Sequence, residues 1–177
     1  TLISWGAMVK ETLAAADELA AEGIGAEKIL AEVLERPWTR LVDLDLAVIV
    51  AAHARLRSQA SVVVVEGVGG WAAPLSAGLQ QADLVRALEV PVVLVVGLRL
   101  GCLNHAILSA RAIAADGCRL VGWIGNAIDP DMACREEHRA LLQAQIAAPC
   151  WGWLPHARPT DAAALSRCLI LPDRAAA

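Results

Sequence analysis

Phenylalanine and tyrosine are absent from this 177-residue chain, although six tryptophans are present. Its 57% apolar content is therefore carried largely by Ala, Leu and Val, and mean hydropathy is +0.52. Long apolar runs are missing too. The longest candidate, residues 90–98, is strand-sized, well short of the ~20 residues a membrane span needs. No basic segment, apolar run and small-residue cleavage site open the chain, so nothing there reads as a signal peptide, and the first residue is Thr1 rather than Met, which leaves room for residues upstream. The five cysteines (102, 118, 134, 150, 168) are odd in number and form no C-x-x-C pair. That argues against a disulfide framework or a zinc site and for a reducing, cytoplasmic setting. Net charge is −4 with both signs mixed and no basic stripe, which disfavours nucleic acid and anionic membranes as partners.

What is present is a regular alternation of apolar runs and helical patterns. Strands are expected at 61–65, 91–96, 120–126 and 150–154, and helices at 46–59, 82–88, 104–115, 136–146 and 161–169. Before these, residues 1–5 read as a strand and residues 8–22 and 29–34 as helices, with a seam near residues 28–45. Alternation at this spacing implies one α/β domain with a doubly wound, mostly parallel sheet, and the Val-rich strands suit a sheet buried on both faces.

The most informative stretch follows the four valines 62–65: Glu66, Gly67, Val68, Gly69, Gly70 and Trp71. A parallel strand that delivers a carboxylate into a glycine turn is a common way to hold a metal and a phosphate. A tight turn with a solvated Glu is the ordinary alternative. The helix after it carries Asp83 in its first turn, where a capping role is favoured over a catalytic one. Strand 91–96 runs into Gly101, Cys102, Leu103 and Asn104, a turn eased by Gly101 with Asn104 placed to cap the next helix. Strand 120–126 ends in Asn126, whose amide offers a donor and an acceptor, followed by Ala127. Strand 150–154 runs into Pro155, His156 and Ala157. Four strand ends thus bring Glu66, Gly101 to Asn104, Asn126 and Pro155 towards one sheet edge.

From about residue 43 to 169 the order and spacing of these motifs resemble dethiobiotin synthetase. The likeness rests on residues 64–76, 91–105, 120–126 and 151–155. The resemblance implies a homodimer with a P-loop NTPase-like architecture. It implies a cyclo-ligase of biotin biosynthesis that closes the ureido ring of dethiobiotin from 7,8-diaminopelargonate, CO₂, ATP and Mg²⁺. Carried over, Glu66 would ligate Mg²⁺, and Gly67, Val68 and Gly69 would line the phosphates and reacting amines. Gly101, Cys102, Leu103 and Asn104 would hold the substrate carboxylate across the dimer interface. Asn126 would read the adenine edge, with Ala127, Pro155, His156 and Ala157 around base and ribose.

The N-terminal third departs from that pattern. No G-x-x-x-x-G-K-S/T is present; the nearest stretch, residues 5–12, has one glycine and no Gly-Lys pair. Residues 1–27 instead resemble the opening β-α unit of the C-terminal domain of the pyruvate dehydrogenase E1 β subunit. Residues 1–42 therefore read as a β-α unit of different origin replacing the P-loop unit, and 43–177 as the synthetase-like part. Impaired turnover is expected. The competing readings are a non-catalytic α/β module that keeps the dimer surface or a weak adenine pocket, and an assembly fragment of the E1 β type.

Overall fold

A computed structural model of the chain describes residues 44–156 and 161–171. The elements expected within residues 1–43, the proposed seam and Ala157 lie outside the described residues. In order come α1 (Leu46–Gln59), β1 (Pro74–Ser76), β2 (Leu79–Gln80), α2 (Gln81–Leu88), β3 (Val92–Gly97), α3 (Cys102–Ala115), β4 (Leu120–Asn126), α4 (Arg135–Gln145), β5 (Cys150–Leu154) and α5 (Ala162–Ser166). Strands β3, β4 and β5 form a parallel sheet in that order, and β1 and β2 form a short antiparallel hairpin. The parallel, helix-connected α/β class expected from the alternation is the one observed.

Each helix boundary has a local cause. Asp45 caps α1, its side chain accepting from the Ala47 N–H at 2.9 Å. A capping box starts α2, where the Asp83 carboxylate takes the Gln80 N–H at 2.7 Å. Helix α3 ends in paired bonds from the Gly117 N–H to the Ala114 carbonyl and from the Cys118 N–H to the Ile113 carbonyl, which satisfies two terminal acceptors. Strand β3 is a Val-rich run because it is buried on both faces: Val92, Val93, Leu94 and Val96 are all inaccessible.

Two apolar clusters hold the domain. One joins Trp71, α2, the start of β3 and Ile113 at the end of α3; the other packs Leu94, Val96 and Trp123 beneath α3 and α4. Trp123, fully buried, donates its indole N–H to the Ala148 carbonyl at 3.0 Å. It meets Trp153 edge to face with ring centroids 5.1 Å apart.

The two tryptophans of β5 lie on opposite faces of the sheet although only one residue separates them. A register shift between Trp123 and Ile124 makes this possible: Cys150 pairs with Trp123, yet Ile124 pairs with Gly152, so Trp151 is an extra residue in β5. Trp151 then covers Gly122 and Trp153 covers Gly125, three positions apart on β4 and so on opposite sides. Gly152 sits at φ +148°, and a methyl there would overlap the Cys168 carbonyl of the segment paired beside it. Only glycine fits that bulge.

The structure differs from the sequence reading in four places. The last helix, α5, spans Ala162–Ser166 rather than 161–169, because the chain turns at 167–168 and Leu169 bridges to Gly152. Residues 61–65 do not form a continuous strand; only isolated bridges occur at Val64 and Gly67. Valine content favours extended backbone without fixing how continuous the ladder is. Helix α3 starts at Cys102 rather than Asn104, because Gly101 at φ +90° takes the capping position without a side-chain bond. Asn104 consequently lies in the first turn, not at the cap. The β1–β2 hairpin was not anticipated, its strands being three and two residues long.

Gly125→Ala is expected to cost about 1–3 kcal/mol through overlap with the Trp153 indole. In a Trp153→Ala background most of that increment should vanish. Urea unfolding of the four-member cycle checks it; equal costs in both backgrounds would contradict the packing assignment.

Candidate functional site

The parallel register decides what the sheet edge carries. Gly97 of β3 pairs with Asn126 of β4, and Asn126 pairs with Leu154 of β5, so three strands finish abreast. The backbone continues the alignment beyond the strands. Leu98 N–H donates to the Asn126 carbonyl at 2.7 Å, Ala127 N–H to Leu154 at 2.9 Å, and Asp129 N–H to Leu98 at 3.3 Å. The Ala127 carbonyl also accepts from His156 Nδ1 at 3.2 Å. A carbonyl can only accept, so Nδ1 carries the proton of this bond. Asn126, Ala127, Pro155 and His156 are thereby brought together.

The loop after β3 lies at the same edge. Leu98 is buried, Leu100 is 86% exposed, and the chain turns at Gly101 into α3. The Cys102 N–H bonds the Arg99 carbonyl at 3.0 Å, and the His105 N–H reaches the Gly101 carbonyl at 3.3 Å. Leu103 and Asn104 N–H groups thus precede the helical ladder. The Cys102 side chain is buried in the core, so only its backbone faces this edge, whereas Gly101 and Asn104 are exposed and Leu103 half-buried.

The glycine turn is a separate structure held by α2 and the end of α3. Glu66 is half-buried, Gly67 buried, and Val68 40% exposed. Gly69 and Gly70 adopt φ +77° and +142°, positions that a side chain would strain. The Gly70 N–H returns to the Val68 carbonyl at 2.9 Å, closing the turn tightly. The Val68 N–H points to Gln81 Oε1 at 3.4 Å. Trp71, which ends the turn, is buried and donates its indole N–H to Asp116 Oδ2 at 2.6 Å. Arg86 joins Asp116 to Asp83 by ion pairs to both. Gln81, Trp71 and Asp116 were not among the site residues expected from the sequence. Gln81 had no signal, since a glutamine at a helix start reads as a surface residue. Among the described residues no group of three or more His, Cys, Asp or Glu is arranged to hold a metal, and all five cysteines are free thiols. Burial raises the thiols of Cys118 and Cys150, both half-buried against the apolar clusters, above their ordinary value, so they stay protonated.

Comparison with known proteins follows from this geometry. The AAA domain family model matches residues 15–164, and the chain belongs to that family. Within it, the chain is 60% identical over 131 residues to the ATP-dependent dethiobiotin synthetase BioD of Xanthomonas oryzae pv. oryzae strain PXO99A, covering 74% of this chain and 58% of that protein. It is 64% identical over 118 residues to the protein of the same name from Xylella fastidiosa strain 9a5c, covering 67% and 52%. The chain therefore spans little more than half the length of these relatives. The resemblance read from the four motifs points to the same proteins.

Two outcomes follow for the clamp around the turn. Asp116→Ala leaves the buried Trp71 indole without this acceptor, and is expected to lower stability by about 1–3 kcal/mol in urea unfolding. An unchanged midpoint would show that the bond contributes nothing. The Gln80 backbone N–H, followed by Arg86, holds the Asp83 carboxyl below its ordinary 3.8. A depressed folded-state pKa stabilises above the unfolded value and is lost as pH falls through the folded one. The melting-temperature gap between wild type and Asp83→Ala is thus expected to be full at pH 6 and to shrink below 3.8. A gap that widens on acidification would refute the assignment.

Proposed function

We propose that the chain is built as a dethiobiotin synthetase-type, ATP-dependent cyclo-ligase of biotin biosynthesis, acting on 7,8-diaminopelargonate, CO₂ and ATP. The observation that carries this reading is the register that sets Gly97, Asn126 and Leu154 abreast. It gathers at one edge three of the loops that carry the resemblance. In open α/β sheets, ligands bind outside the carboxyl ends of the strands.

On this reading Asn126 reads the adenine edge with its amide, and Ala127, Pro155 and His156 line base and ribose, as would Ala157. Gly101, Cys102, Leu103 and Asn104 form the turn that holds the substrate carboxylate, with the Leu103 and Asn104 N–H groups ahead of the helical ladder, facing a second copy in a homodimer. Gly67, Val68 and Gly69 present backbone to phosphate and amine groups. Glu66 is the residue to hold Mg²⁺. The fit is reasonable in kind: Mg²⁺ takes one or two carboxylates and completes its shell with phosphates and water, so no protein cage is needed. When bound, the metal neutralises charge on the transferring phosphoryl group. The chain's own residues orient one amine-derived carbamate for phosphorylation and hold the second amine for ring closure. The free thiols fit a cytoplasmic setting. No helix among the described residues is long and apolar enough to cross a membrane.

A second reading has its own observation. The sequence contains no G-x-x-x-x-G-K-S/T, and such a loop supplies the N–H cradle and the lysine that grip the β/γ-phosphates. Residues 1–42 are then a replacement unit, and the chain is a non-catalytic α/β module keeping dimer contacts or weak adenine binding.

Calorimetry with Mg·ATP and a coupled turnover assay with 7,8-diaminopelargonate and bicarbonate separate the two. The expected result is weak nucleotide binding and very low turnover. Glu66→Ala should weaken Mg·ATP binding further, by about tenfold or ~1.4 kcal/mol. Turnover at the rate of full-length relatives would overturn the impairment. Binding indifferent to Glu66→Ala would remove the metal role.

A further inference from the structure

Gln81 is an uncharged polar side chain that the core encloses completely beside the glycine turn. It is 1% exposed, ranks among the largest fully buried side chains, and opens α2. Its backbone N–H bonds the Ala73 carbonyl at 2.9 Å, which fixes the residue behind the turn. The side-chain orientation follows from chemistry. The Val68 N–H is a donor, so the atom facing it at 3.4 Å is the amide oxygen. The other end of the amide, Nε2, is buried with no hydrogen-bond partner. A buried donor left unsatisfied lowers stability, and such groups concentrate where function requires them.

We infer that Gln81 is a positioning residue for the glycine turn, and that Nε2 is held in reserve for an oxyanion ligand. Oε1 sets the direction of the Val68 N–H, and Nε2 donates to a phosphate or carbamate oxygen once the turn has closed on it. The inference rests on reading the turn as a Mg·ATP and diamine site. Its chemistry selects ligands with acceptor oxygens, since an amide NH₂ can donate but not accept. The long Val68 bond suits a turn that tightens on binding, as active-site hydrogen bonds commonly do. Gly69 and Gly70 give the backbone freedom to make that adjustment.

The test compares the full chain with Gln81→Met and Gln81→Glu. Methionine keeps the length and removes both the acceptor and the unpaired donor; glutamate keeps an acceptor for Val68 and loses the donor. The probes are Mg·ATP, and Mg·ATP with 7,8-diaminopelargonate and bicarbonate, titrated calorimetrically. Gln81→Met is expected to melt no lower than wild type while losing about tenfold in affinity, and amide exchange at Val68 should accelerate while that of β3 does not. Gln81→Glu, where it folds, should keep slow Val68 exchange and still lose affinity. A purely structural glutamine predicts the opposite for methionine: a lower melting temperature with unchanged affinity. That result, or wild-type affinity in both variants, overturns the inference. If wild type gives no heat with either probe, the functional reading fails for this chain and the ligand role of Nε2 falls with it. Val68 exchange in Gln81→Met then decides the positioning role alone, with unchanged exchange overturning it.

Discussion

Strand β4 is the element on which the rest of the described structure depends. It is paired on both sides, and its two glycines are the surfaces on which the β5 tryptophans rest. Trp151 over Gly122 and Trp153 over Gly125 lock β5 to β4 from opposite faces, which a regular strand with one residue between the rings would not allow. The bulge at Trp151 reconciles the two. Because parallel pairing fixes register, the same lock also fixes where the strands end. The arrangement of Asn126, Ala127, Pro155 and His156 is thus a consequence of ring packing several residues away. Arg139 of α4 extends the same assembly, its guanidinium lying 4.3 Å from the Trp153 ring centroid. The absence of Phe and Tyr gives these few indoles a large share of the packing.

The glycine turn is stabilised by a different principle. Apart from Val65 and Trp71 it contributes little to the apolar clusters, and it is held instead by polar bonds to helix ends. The Val68 N–H reaches the start of α2, and the Trp71 indole reaches the end of α3. Both contacts use places where a helix leaves backbone or side-chain groups available. Rigid anchors at both ends with glycines between them suit a segment that has to approach a ligand closely.

Much of this was legible in the sequence, and the limits are physical. The bounds of α1, β4 and β5 followed from periodicity and apolar runs alone, and β3 shifted by a single residue, because burial on two faces leaves a continuous Val-rich signature. Residues 61–65 carry the same signature without forming a continuous strand. Composition reports a preference for extended backbone but not the continuity of its pairing. The start of α3 was misjudged for the opposite reason: asparagine is a good cap, but a glycine at positive φ had already turned the chain. The bulge in β5 was visible only as an isolated glycine between two tryptophans. Gln81 left no trace, since neither its burial nor its unpaired donor is encoded in spacing.

That last contrast separates identity from operation in this chain. The motifs that mark the family are runs of residues, and runs survive in a sequence whether or not the site is complete. What makes a phosphate site work is the collective direction of several N–H groups and a lysine, which belongs to a loop conformation rather than to any one residue. The described edge holds the ends of β3, β4 and β5 in register, and the glycine turn is clamped to α2 and the end of α3. The phosphate-gripping sequence is the part this chain lacks. In such a site positioning and electrostatic stabilisation can reside in different segments. On the proposed function, binding and turnover are therefore separable properties.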